Sequence, residues 1–215
     1  MPDADRLAVL SPVPSSSFGW ALGSVQHNGV SVELLGFEHP LISLEALPEG
    51  PSMTVAFSGA AAEDVLPWGA AAWEAVEAAI GRLNPDSGQL LLRGHHGHVL
   101  ADAPACLGWL DHCQKSDLAC GVALAPASML AASMLELKEE HLVRMFEYLG
   151  RRCGAVIIED LVQDDDGEHG AALVGEGILP GSLIGELLDR HVPAEIPIFV
   201  LASGVEVATR WLWQD

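Results

Sequence analysis

GVALA (121–125), AVIIED (155–160) and PIFVLA (197–202) are the three apolar runs on which the fold turns. Polar segments with helical spacing separate them. Between the first two runs lies KEEHLVRMFEYLG (138–150), where Leu142, Met145, Phe146 and Leu149 recur at i, i+3, i+4 and i+7. That spacing puts them on one face of a helix. Gly150 is expected to end this helix in a left-handed conformation. Between the second and third runs lies SLIGELLDRH (182–191), with Ser182 as expected N-cap and Leu183, Ile184, Leu187 and Leu188 as its buried face. Strands that read as almost unbroken Val, Ile and Leu are buried on both faces, the habit of parallel sheets. The half of the chain from 121 to 202 is therefore a βαβαβ array.

The plan extends backwards. RLAVLS (6–11), VSVELL (30–35), MTVAFS (53–58) and QLLLR (89–93) read as strands. Residues 18–26 are expected to be a helix capped by the serines of 15–17 and closed by His27-Asn28-Gly29. Residues 41–47 suit a short helix or a poor strand. Residues 61–83 and 101–115 read as helices, with Trp68 and Trp73 packing inside the first; 84–88 (NPDSG) is a turn. A last helix covers 205–213 and carries Trp211 and Trp213 for docking. Seven strands alternate with helices and no linker interrupts them, so one domain over 1–215 is expected. The class is α/β, either doubly wound or a (β/α) barrel. A full eightfold barrel typically takes about 250 residues. At 215 residues, a TIM-type barrel would be reduced to seven strands.

Composition narrows the function. Thirty acidic residues face ten basic ones, for a formal charge of −20. Such a surface repels phosphate backbones and anionic membranes, which excludes nucleic acid and membrane as expected partners. Solubility or salt adaptation accounts for the charge, and a basic protein partner is the sharper alternative. No run approaches the roughly 18–20 apolar residues that cross a bilayer. No basic stretch precedes an apolar one at the start, so a cytoplasmic protein is expected. Cys106, Cys113, Cys120 and Cys153 form no CxxC pair. Cys106 and Cys113 lie seven apart on one helix, too far for a disulfide, and buried thiols are expected.

Several stretches together resemble the xylose-isomerase-like TIM barrels, the superfamily of sugar and sugar-phosphate isomerases and epimerases and of endonuclease-IV-type enzymes. Gly29-Val30-Ser31-Val32-Glu33-Leu34 is similar to its second strand. Residues 142–150 with 155–160 are similar to its late helix and the strand ending in Asp. GAALVGEG (170–177) is similar to its LGEG turn, 181–188 to the helix after it, 197–201 to its last strand and 205–212 to its closing helix. The resemblance implies a divalent metal, zinc or manganese, held by acidic residues and histidines at the C-terminal strand ends. The chain departs there. Arg93 stands where a Glu is implied, and Ala125-Pro126-Ala127-Ser128 where an Asp and a His are implied. Ile157 replaces a His and Leu201-Ala202 a Glu; Asp160 is kept. A divalent cation needs several oxygen or imidazole ligands converging on one point, and Arg93 adds positive charge where the cation would sit.

Other groups could rebuild a site. His95, His96 and His98 come just after a strand end, the edge where β/α folds bind ligands. A zinc site needs further ligands from elsewhere, and Asp160, His169 and Glu176 are the candidates. DDDGEH (164–169) fails as a calcium loop, because Gly167 in the glycine position puts Val162 and Leu173 at the end ligands. No dinucleotide or P-loop fingerprint and no Gly-x-Ser-x-Gly elbow occurs.

Two functions stay open. One is a sugar or sugar-phosphate isomerase or epimerase with a rebuilt metal site. There His96, Asp160 and Glu176 would be catalytic, Arg93, His95 and His169 would bind substrate, and His96, Asp160 and His169 would hold the metal. The other is a non-catalytic barrel that binds a sugar-like small molecule or a protein. A homo-oligomer that closes the trimmed barrel is compatible with either.

Overall fold

The computed structural model describes residues 7–10, 24–27, 30–37, 39–47, 52–61, 70–83, 88–163 and 169–214. In chain order the strands are β1 (Leu7–Leu10), β2 (Ser24–His27), β3 (Val30–Leu34), β4 (Met53–Phe57), β5 (Gln89–Arg93), β6 (Cys120–Leu124), β7 (Ala155–Ile158), β8 (Asp160–Gln163), β9 (His169–Ala172) and β10 (Ile198–Leu201). The helices are α1 (Ala70–Leu83), α2 (Ala103–Ser116), α3 (Pro126–Met129), α4 (Lys138–Leu149), α5 (Gly181–His191) and α6 (Val205–Trp213). A 3-10 turn at Leu41–Ser43 takes the place of a helix between β3 and β4.

Eight strands form one sheet in the order β1-β10-β7-β6-β5-β4-β3-β2. All neighbours are parallel except the β2–β3 pair. From β3 to β10 each parallel strand is laid beside the one before it, and β1 pairs with β10, the last. That is the closure of a (β/α) barrel. At the other seam β1 does not pair with β3; the antiparallel β2 lies on that edge and approaches β1. The fold is a TIM-type barrel reduced to seven parallel strands.

The unbroken apolar strands divide their side chains between two cores, as a period of two requires. Leu90 and Leu92 of β5, Val156 and Ile158 of β7, and Ile198 and Val200 of β10 face the helices. Leu91, Ala155, Ile157, Phe199 and Leu201 face inward, with Ala8, Leu10, Val32, Leu34, Met53, Val55, Ala123 and Ala125. The two outermost parallel strands, β1 and β3, both contribute to this inner cluster. Among the described residues the barrel interior is thus filled with hydrocarbon. Outside it, α4 buries Leu142, Met145, Phe146 and Leu149, the face its spacing predicts. Each such side chain contributes roughly 1.5–3 kcal/mol relative to exposure. Ile184, Leu187 and Leu188 of α5 are buried too, with Leu183 half-buried. Among the described residues no helix is long and apolar enough to cross a membrane.

Three local expectations are corrected. Residues 24–27 are a strand where a helix was expected, paired from Ser24 opposite Glu33 to His27 opposite Val30. A two-residue Asn-Gly connection between paired strands is the strongest hairpin signal, and β2 covers a sheet edge that a helix would leave unbonded. Residues 18–23, Trp68 in 62–69, most of the 84–88 turn and 164–168 lie outside the described residues. Gly150 is right-handed (φ −54°), not left-handed. A Cβ there would come within 2.6 Å of Phe146 O and 2.9 Å of His191 O, so close approach of two helix ends selects the glycine. The third is Ser182, which lies inside the first turn of α5. Pro180 is the N-cap, without a side-chain cap bond.

Candidate functional site

Inward parity on β5 carries Leu91 and then Arg93, which closes the strand at its C-terminal end. Inward parity on β7 carries Ala155, Ile157 and then Glu159, just past the strand. The two side chains meet across the barrel mouth: Arg93 Nη2 donates to Glu159 Oε1. They are 5% and 3% exposed. Phe57, last residue of β4, lies under the guanidinium, 4.6 Å from ring centroid to Cζ. Cation–π contact of this kind adds to the pair when water is excluded. Among the described residues Arg93 Nε is buried without a partner.

The loop after β5 is held by its backbone. His95 N donates to Leu100 O and His96 N to Ser128 O, both at 2.9 Å, and Val99 N donates to Gly59 O at 2.9 Å. Ser128 Oγ donates to Gly94 O at 2.7 Å. These bonds gather three imidazoles, two of them against Phe57. The His95 and His98 rings stand edge-on to it at 5.6 and 5.5 Å. His98 also stacks on Phe37 at 4.8 Å, and His96 stacks on His95 at 4.5 Å. His95 Nδ1 accepts from Gly97 N at 3.0 Å. His98 is buried, and its Nδ1 has no partner among the described residues. Burial first, and the neighbouring His96 second, lower its pKa to about 4. At neutral pH His98 is therefore an uncharged imidazole beside a neutralised ion pair.

Asp160 points the other way. It is 0% exposed, and four backbone N–H groups share its carboxylate. Oδ1 accepts from Leu161 N at 2.8 Å and Leu179 N at 2.9 Å. Oδ2 accepts from Gly175 N at 3.0 Å and Gly177 N at 2.8 Å. Four bonds fill the lone-pair capacity of a carboxylate. Asp160 thereby ties the turn of 173–179 to the start of the β8–β9 hairpin. Glu176 is exposed on that turn. His169 opens β9 opposite Gln163, and its side chain lies outside the described set.

The structure thus assembles Arg93, His95 and His96 at the mouth and sets apart from them Asp160, at the start of β8, and Glu176, on the turn that Asp160 holds. Sequence reasoning missed Glu159 and Phe57. The signal for Glu159 was its parity with 155 and 157. These positions decide whether a divalent metal fits. Among the described residues no three His, Cys, Asp or Glu side chains gather to hold an ion. The inward groups at the strand ends are a guanidinium with its own carboxylate, Phe57, Ala125 and Leu201. That donor set does not suit a divalent cation.

No protein-family model and no curated protein matches the sequence. Among solved structures the fold is similar to that of the IolI protein, solved with a bound zinc atom. The TM-score is 0.51 at 11% identity, over 75% of this chain and 60% of that one. A protein of Sinorhizobium meliloti 1021 aligns with TM-score 0.46 at 13% identity, over 75% of this chain and 62% of that one. The chain spans less than two thirds of the length of each of these two proteins. The likeness to IolI establishes the architecture as a TIM-type barrel.

Proposed function

We propose that this chain is a binding module on a sugar-isomerase-type barrel, and that its mouth takes a small, neutral, hydroxyl-bearing molecule without a metal. The observation that carries this reading is the pair of buried, unpartnered nitrogens that flank Phe57, Arg93 Nε and His98 Nδ1. A buried polar group without a partner costs about 1–3 kcal/mol, and a bound hydroxyl that bonds to it removes that cost. Glu159 already neutralises Arg93 and His98 is uncharged, so the site has no net charge with which to select a phosphate. Among the described residues no three His, Cys, Asp or Glu side chains gather to hold an ion such as the zinc of IolI, which favours binding over metal-assisted isomerisation.

Calorimetry with neutral monosaccharides and polyols, their phosphorylated counterparts, and zinc or manganese tests this. A neutral sugar or polyol should bind saturably, and Arg93→Lys, which keeps the charge for Glu159 but lacks Nε, should abolish the binding. Uptake of one equivalent of metal that Glu159→Gln removes, or turnover of an aldose or ketose, would return the chain to the isomerases.

A further inference from the structure

Phe37 lies just beyond β3, on the mouth side of the barrel. Leu35 N still donates to Val55 O at 2.9 Å, and His39 N closes a turn on Gly36 O at 3.1 Å. Phe37 is the first residue inside that turn. Its ring centroid is 4.8 Å from that of His95, 4.8 Å from that of His98 and 5.5 Å from that of Phe57. The His95 and His98 centroids are 4.7 Å apart. Phe37, His95 and His98 thus form a near-equilateral triangle of rings, and Phe57 meets all three, each close to perpendicular. The cluster is unevenly covered. Phe57 and His98 are buried and His95 half-buried, whereas Phe37 is 41% exposed, as are His96 and Gly97 along the histidine loop to a similar or greater degree. A single exposed apolar side chain needs no explanation by itself. This one is the open member of a packed ring cluster, and the ring it stacks on, His98, carries the unpartnered Nδ1.

We propose that Phe37 is the specificity-determining residue of the mouth, a platform that selects ring-closed sugars over linear polyols. The proposal rests on the reading of the mouth as a metal-free site for neutral hydroxyl compounds, and narrows its ligand class. A pyranose chair has faces of C–H bonds and a rim of hydroxyls. The face of a phenyl ring is electron-rich, so it attracts the positive ends of C–H bonds laid against it. The hydroxyl rim then meets the imidazole edges, where a buried nitrogen lacks a partner among the described residues. A linear polyol carries the same hydroxyls but has no preformed flat face, and it loses several free rotations on binding. A phenol is flat as well, but it is apolar around most of its rim. One open ring bordered by imidazoles suits a ligand that is polar around its edge.

The test measures binding by calorimetry for methyl glucopyranoside, galactopyranoside and xylopyranoside against sorbitol, galactitol and xylitol, with phenol as a third class. Methyl glycosides cannot open, so no carbonyl chemistry enters the comparison. At least one pyranoside should bind more tightly than its matched polyol, by about 3- to 10-fold. Phe37→Leu should erase that preference and leave the polyol unchanged, and Phe37→Tyr should restore it. In the proton spectrum of the bound pyranoside, the C–H protons of one ring face should move upfield, the mark of an aromatic ring lying against them; in Phe37→Leu that shift should vanish. Equal binding of pyranosides and polyols, both lost in Arg93→Lys, would overturn the platform and leave the mouth reading standing. So would tighter binding of phenol, or a preference that survives Phe37→Leu. Binding of none of the three classes would overturn both.

Discussion

Glu159 and Asp160 are neighbours in sequence and belong to two regions built on different principles. Glu159 faces into the barrel mouth and is matched by one charged partner, Arg93. Asp160 faces out of it and is matched by four neutral partners, all backbone N–H groups of 161–179. The first arrangement leaves polar atoms without partners, Arg93 Nε and His98 Nδ1. The second fills the carboxylate. A region with buried polar groups left over is one where a ligand can still gain; a saturated carboxylate has nothing further to offer one. The difference lies in strand parity. One residue of displacement turns a side chain from the lumen to the loop side.

The largest break in the comparison comes from Glu159→Gln. Arg93 would keep its charge in a buried place with no counter-charge, and loss of one partner of such a pair costs about 3–5 kcal/mol. Urea denaturation should show a fall of that order. Replacing both, Arg93→Met with Glu159→Met, should recover most of it, because hydrocarbon is an adequate filling for a barrel interior. A double variant as unstable as the single one would mean that Glu159 has another task.

A smaller and more local effect is expected from Asp160→Asn. The amide keeps the shape but can accept from only one of the two pairs of N–H groups. Orphaned donors cost about 1–3 kcal/mol. Amide exchange should quicken at Gly175 and Gly177 or at Leu161 and Leu179, while the Arg93 pair and any sugar binding at the mouth persist. Loss of mouth binding in this variant would join the two regions that the structure separates.

The sequence made one of these regions more legible than the other. Arg93 was visible as the last residue of an apolar strand, and the histidine loop as the segment directly after it. The four-residue face of α4 and the strands buried on both sides were equally plain, because repeated burial imposes a period. Glu159 was hidden by the resemblance, which directs attention to the retained Asp160. What decides between them is the register of β7 against β10 and β6, a property of three strands at once. The β2 strand was hidden for another reason. Four residues, SVQH, carry no period long enough to tell helix from strand, and only the edge of β3 makes them extended. The need for Gly150 depends on how two separate helix ends approach, which no local pattern encodes.

The smallest effect is a matter of pH and sharpens the same contrast. His98 is a mouth residue with its pKa lowered to about 4 in the folded chain, against an ordinary value of 6.5. Between those values the unfolded chain binds the proton that the folded chain refuses. Stability contributed by this group is therefore intact above pH 6.5 and falls as the pH drops toward 4. Burial, and after it the neighbouring His96, resist a positive charge there. His98→Phe keeps a ring between Phe37 and Phe57 and removes the titration. Between pH 7 and pH 4.5 the parent should lose about 2 kcal/mol more than this variant. The Asp160→Asn chain should lose the same excess as the parent, because its lesion lies outside the mouth. Parallel pH curves for parent and His98→Phe would show that the imidazole takes up its proton without leaving the cluster, and the mouth would then be more hydrated than its burial implies.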